Sequence, residues 1–378
     1  MIPMKNKYVQ GFCPTLKTPI FASDGLLLRI RPHLNFLNTP KLIALCDLCD
    51  KYGSGIMELT NRGSIQIRGI RESEHKVFVK EIFEKKILRE SDNSDLNITI
   101  NPFWKYGDIN HRIYNDLTKL KLPTLPAKFG FIIDSGKMLT LKNISSDIRI
   151  ENTKFNQIII RAEGALKGKI VKPQEVNPFI MKMTKWFLKN KEKKISRMAD
   201  LLLKKELPKS WLQEEPIQKC YEILPNNLKL GQVLGIKLGR FKAKDLKKLL
   251  LSCSSPKVRF TPFKMIILEK VKDITDDNFI YNKSDSLLNI SACSGINYCL
   301  NSSVDTFKLA NRIKNYTNAN VHITGCEKNC GINNNTKFLL SGNKSFLDVI
   351  DNYSKKIIFK KKSITDFSKN FFKDIEKQ

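Results

Sequence analysis

The chain has 378 residues, enough for two or three domains with ample core, and its 41% hydrophobic and 27% charged residues are those of an ordinary globular protein. A formal charge of +29 favours anionic partners, although Lys, Asn and Ile dominate throughout and much of that charge is equally read as solvated surface. No stretch approaches ~18 uninterrupted apolar residues, and MIPMKNKYVQGFCPTLK lacks the apolar run of a signal peptide, so no membrane partner and a cytoplasmic location are expected.

In chain order, LLLRIRP (26–32) predicts a strand, and Thr39 with Pro40 predicts the N-cap and first position of a helix running to about Lys51. Cys46 and Cys49 continue the apolar stripe of Leu42 and Leu45 on that helix, which makes them core side chains rather than a redox pair. Strands IMEL (56–59) and IQIRGI (65–70) follow, joined by the turn TNRGS. The middle of the chain mixes signals, with a strand in QIIIRAEG (157–164) and a helix in MKMTKWFLKNKEKK (181–194). The first pattern then returns: VLGIKLG (233–239), a helix near KAKDLKKLLL (242–251), KVRF (257–260), the turn TPFK and MIIL (265–268). Both copies read β-α-β-β and both turns begin with threonine, Thr60 and Thr261, so a tandem duplication is expected. The first turn carries Arg62 where the second has Pro262 and Phe263, a basic group on one side that points to one active site rather than two. The lysine-rich tail (354–378) predicts a surface helix.

Nine cysteines in a cytoplasmic chain are thiols or metal ligands before they are disulfides. Cys293 and Cys299 form a Cys-x5-Cys pair, and after 26 residues Cys326 and Cys330 form a Cys-x3-Cys pair. Four thiolates suit a 4Fe–4S cluster. Zinc sites draw pairs spaced by two to four residues, so the wider gap counts against zinc without removing it. Gly295, Gly325 and Gly331 would let backbone approach such a cluster. Cys220 and Cys253 read as core, and Cys13 has no assignable role. None of His33, His75, His111 and His322 forms a two-histidine metal motif. YGSG (52–55) follows a helix and is no dinucleotide fingerprint. The basic residues are spread along the chain rather than gathered in a nucleic-acid-binding module.

The cysteine spacing, the duplication and the segment ELTNRGSIQIRGI (58–70) together resemble the sirohaem sulfite and nitrite reductase superfamily, over nearly the whole chain. The resemblance implies that Cys330 is the cysteine nearest the macrocycle and that Arg62 matches an arginine that helps bind the anionic substrate. Two departures follow. LPAKFGF (125–131) keeps Lys128 of a usual Lys-x-Lys pair but has Gly130 at the second position, and Leu96 stands before Asn97 where an arginine is usual. Those losses, with DGLLLRIRP (24–32), INPFWKYGD (100–108), LPAKFGFIID (125–134) and GCEKNC (325–330), are similar to the precorrin-3B synthase branch.

That branch implies an α+β fold: duplicated ferredoxin-like half-domains (12–80 and 225–285) plus two mixed α/β domains of iron–sulfur and sirohaem type (90–220 and 286–378), related by a pseudo-twofold. It implies a monooxygenase that hydroxylates precorrin-3A at C20 with dioxygen and closes a γ-lactone from the ring A acetate. Electrons would come from a separate NADH-dependent donor. The implied cofactors are the 4Fe–4S cluster on Cys293, Cys299, Cys326 and Cys330 and a mononuclear non-haem iron, with Asp108, His111 and His322 as candidate ligands. Arg62, Arg68, Lys128 and Arg161 are the expected holders of the substrate's carboxylates. The catalytic residues are not identified. The alternative is a small sulfite or nitrite reductase, the one reading that needs sirohaem.

Overall fold

The computed structural model describes residues 14–88, 96–332, 335–344 and 346–376; Cys13 lies outside them. The chain divides into two compact units, one built mainly from Leu88–Ile223 with Arg31–Phe36, the other from Pro14–Ile30, Leu37–Ile87 and Leu224–Gln378.

The second unit holds the duplication. Strands Gly25–Ile30, Ile65–Ile70 and Ile56–Leu59 form the centre of one antiparallel sheet, and Gly231–Ile236, Met265–Glu269 and Lys257–Phe260 form the centre of the other. The predicted helices are Thr39–Tyr52 and Ala243–Ser252, packed on each other. Leu42, Leu45, Cys46 and Cys49 are all buried on the first, as the stripe requires.

What the β-α-β-β reading missed is a short extra strand before each helix, Phe36–Asn38 and Arg240–Lys242. Each is exchanged. Arg240–Lys242 pairs with Ile56–Leu59 of the first copy, and Phe36–Asn38 adds to the edge of the second copy's sheet beside Lys257–Phe260. Three residues are too few to show a period, so no sequence pattern marks them. Backbone bonds repeat the exchange: Thr39 N–H donates to Pro256 O at 3.1 Å and Ala243 N–H donates to Gly55 O at 2.8 Å. Thr39 is not the N-cap; Asn38 holds that position, and the Thr39 hydroxyl donates instead to Ser255 O. Before each short strand the chain turns through a left-handed leucine, Leu34 (φ 55°) and Leu238 (φ 53°). That conformation costs roughly 1–2 kcal/mol, and in both copies burial of the leucine side chain offsets it.

The same unit carries a mixed sheet in the order Ile290–Ala292, Val321–Thr324, Phe338–Asn343, Phe346–Asp351, Ile357–Lys362. Its first three strands run parallel and its last two antiparallel. The tail is therefore part strand, Ile357–Lys362, before its helix Lys369–Glu376, which buries Phe372 and Ile375.

The first unit is built on a sheet of the same plan. Asn97–Ile100, Gly130–Asp134 and Ile148–Asn152 run parallel, and Ile158–Ala162 and Lys169–Val171 continue antiparallel. Helices Ile109–Lys119 and Val176–Asn190 cover it, the latter starting five residues before the predicted segment. Cys220 is exposed and Cys253 half-exposed, so neither is the core residue expected. Among the described residues, no helix is long and apolar enough to cross a membrane.

Candidate metal centre

Parallel strands send their carboxyl ends, and the loops that leave them, in one direction. Ile290–Ala292 and Val321–Thr324 are parallel neighbours, so the loops bearing the two cysteine pairs leave the sheet together. Cys293 N–H donates to Ile323 O at 2.9 Å, and Gly325 N–H donates to Cys293 Sγ at 3.2 Å. Burial raises the Cys293 thiol; the N–H groups of Gly295 and Gly325 oppose that, and negative charge on Cys299 and Cys326 adds to it. Cys299, on the same loop, and Cys326, on the other, thus both lie within electrostatic reach of Cys293. Two of the glycines are required by close packing against protein: a Cβ at Gly325 would stand 1.7 Å from Ser302 Oγ, and one at Gly295 2.7 Å from Thr306 Oγ1.

The second loop is held from within. Asn329, left-handed at φ 49°, accepts through Oδ1 from the hydroxyls of Thr324 (2.9 Å) and Ser341 (2.7 Å). His322 Nε2 lies 2.9 Å from Cys330 O and its Nδ1 lies 2.6 Å from Ser291 Oγ. A carbonyl only accepts, so Nε2 carries the proton and Nδ1 receives the serine hydroxyl. Burial, then the Lys264 charge, pushes His322 down to about 4. It is neutral, and both ring nitrogens are taken.

The first loop is held from outside, by buried charges. Arg68, 1% exposed, donates from Nε and Nη2 to Asp24 (3.1 and 3.0 Å), from Nη1 to Glu58 (3.2 Å) and Ser294 Oγ (3.5 Å), and from Nη2 to Tyr298 O (2.7 Å). A guanidinium has five N–H groups, and all are engaged. Arg240 donates to the other Glu58 oxygen at 2.9 and 2.5 Å and to Ser294 O at 3.2 Å, and it stacks at 4.0 Å on the rings of both Tyr298 and Phe307. Burial would raise the Glu58 carboxyl, but Arg68 and Arg240 outweigh it and hold it below the ordinary range.

These contacts redirect several expectations. Arg68 has no donor left for a substrate carboxylate. Arg161 is committed to a bidentate pair with buried Glu151 (2.8 and 3.1 Å) and to Ala165 O, inside the first unit's sheet. Lys128 is exposed on a turn of that unit, which the buried Asn97 amide fixes by donating to Ala127 O and Phe129 O. Arg62 sits half-buried on the Thr60 turn, whose neighbour Asn61 donates to Gly331 O at 3.3 Å, just past Cys330. Arg62 is thereby placed near the second cysteine loop.

The candidates for a mononuclear iron each already have protein partners. Asp108 caps helix Ile109–Lys119 by accepting from His111 N–H, and His111 receives Gly107 N–H on Nδ1 and stacks on Trp104. Among the described residues, no three His, Cys, Asp or Glu side chains gather tightly enough for a single metal ion.

Lys264 went unnoticed in the sequence. It takes the turn position that Gly63 fills in the first copy, both left-handed (φ 57° and 66°), and its side chain lies over Gly239. Burial pushes its ammonium down to about 8, with the charges of Glu58 and Cys293 opposing and Arg240 adding. The signal was a lysine where the repeat has a glycine.

Residues 22–84 match the nitrite/sulfite reductase ferredoxin-like half domain. The chain aligns with the structure of Mycobacterium tuberculosis NirA protein at a TM-score of 0.69, over 93% of this chain and 80% of that one, with 15% identity. The chain is therefore of mixed α/β fold, similar to that of NirA, and it carries one segment that matches a ferredoxin-like half domain. Among curated proteins it is similar to precorrin-3B synthase from Sinorhizobium sp, 31% identical over 151 residues, which is 38% of this chain. The match spans about a third (32%) of that relative's length.

Proposed function

We propose that this chain catalyses the precorrin-3B synthase reaction, hydroxylating precorrin-3A at C20 with closure of the ring A acetate into a γ-lactone. The observation that carries this reading is the 31% identity to a protein of that name; the loss of a second lysine at Gly130 supports it.

The donor set fits a 4Fe–4S cluster: four cysteines on two loops that leave the sheet together, with the Cys299 and Cys326 charges acting on Cys293 and a backbone N–H donating to Cys293 Sγ. Bound there, the cluster supplies one-electron transfer, which dioxygen needs because it reacts sluggishly with closed-shell organic molecules. The chain's residues do the rest. Arg62, on the turn touching the second loop, binds a substrate carboxylate. Neutral His322 fixes Cys330 without adding charge. Ile296 and Leu300, exposed on either side of Cys299, offer apolar surface to a macrocycle. One oxygen atom enters the product and the other leaves as water, with two electrons and two protons from the separate donor.

Protein purified without oxygen and given precorrin-3A, labelled dioxygen and a reductant is expected to yield product heavier by one labelled oxygen atom. The rival reading, a sirohaem-dependent sulfite or nitrite reductase, is favoured by the match of residues 22–84 to the nitrite/sulfite reductase half domain. An intense Soret band with sulfite or nitrite turnover, and no labelled product, overturns the proposal.

A further inference from the structure

We propose that Arg68 and Arg240 are positioning residues: through the Glu58 they share, they hold the Cys293–Cys299 loop in its ligating form, so that cluster retention depends on the pairing of the two copies. The inference rests on these cysteines being cluster ligands.

Five residues separate the two cysteines, and three of their carbonyls are tied to the half-domains: Ser294 O to Arg240, Asn297 O to the Ser23 hydroxyl (3.2 Å), and Tyr298 O to Arg68. The Tyr298 ring lies against both guanidiniums, 4.9 Å from Arg68 and 4.0 Å from Arg240. Every one of these contacts is made by protein alone. Beside the second loop, Asn61 of the first half-domain donates to Gly331 O.

A buried network of two arginines and two carboxylates is weak as a source of stability, because desolvation offsets the attraction. It is strong as a source of geometry, since a fork of fixed donors tolerates few arrangements. Its parentage matters as much. Asp24, Glu58 and Arg68 belong to the first copy, and Arg240 sits on the exchanged strand of the second, directly opposite Glu58 in the register. The clamp closes only when that strand has joined the first copy's sheet.

The test uses the full-length protein, reconstituted with iron and sulfide under anaerobic conditions. Arg240→Lys keeps the charge and removes the fork and the stacking plane. Tyr298→Leu leaves all four buried charges in place. Three readouts are compared with wild type: cluster loss to a chelator, the electron paramagnetic resonance spectrum of the reduced cluster, and the circular dichroism of the apo-protein. Both variants are expected to keep the apo-protein spectrum, lose cluster at least tenfold faster and give an altered resonance line shape. If Arg240→Lys does not fold, Tyr298→Leu decides. Wild-type loss rates and resonance spectra in the folded variants overturn the clamp alone. A wild-type protein that takes up no cluster overturns the reading of the cysteines, and the clamp with it.

Discussion

Two sheets in this protein follow one plan, three parallel strands and then two antiparallel, yet they end differently. In the first unit Asn101 follows the first parallel strand and donates its N–H to Ile133 O at 2.8 Å; in the second, Cys293 does the same with Ile323 O at 2.9 Å. Backbone for backbone the two residues are equivalent. Asn101 turns its amide onto buried Asp134 (2.7 Å), which also accepts from Thr140 and Leu141 N–H groups at 2.9 and 2.7 Å. Every polar atom named there finds a partner within the unit. At the matching end of the other sheet stand thiols, the ligand set proposed above. One scaffold thus supports a closed hydrogen-bonded network in one unit and a cluster of cysteines in the other, and side-chain chemistry at the strand ends decides which.

The comparison can be broken most sharply at the ligands. Cys326→Ser is expected to abolish the visible absorption of a reconstituted cluster while leaving far-ultraviolet circular dichroism near wild type; a retained 4Fe–4S spectrum would remove Cys326 from the set. Next, Glu58→Gln strips a buried carboxylate from between two arginines and should cost about 3 kcal/mol at neutral pH. Glu58 is held below its ordinary value, so its contribution is present above the usual glutamate range and is lost as pH falls through the depressed value. The deficit measured by urea unfolding should therefore shrink on acidification. Asp134→Ala leaves buried donors on Asn101, Thr140 and Leu141 and should cost roughly 1–3 kcal/mol, with cluster content unchanged if the two strand ends are independent. The smallest effect is chemical. Burial pushes Cys46 up to about 12 and raises Cys49 as well, whereas Cys220 is exposed. A thiol reagent at about pH 8 should modify Cys220 readily and reach Cys46 and Cys49 only on unfolding.

Periodicity made the duplication and its helices legible, because buried stripes on strands and helices write themselves into spacing. Cysteine spacing picked out the candidate cluster ligands for a similar reason. The buried-charge clamp was not legible: Arg68 and Glu58 look like ordinary alternating polar residues in strands, and only folding shows that both face inward. Arg161 misled in the same way, since its partner Glu151 lies on the neighbouring strand, ten residues back in sequence. Lys264 was readable in principle, through alignment of the two turns, but a left-handed lysine announces itself only in backbone angles.

The exchanged strands have one more implication. Phe36–Asn38 completes the other copy's sheet and Arg240–Lys242 completes the first, so neither repeat is a finished molecule on its own. This is the pattern left when a swapped homodimer is joined into one polypeptide. Each sheet draws an edge strand from the other repeat, so the two must close together.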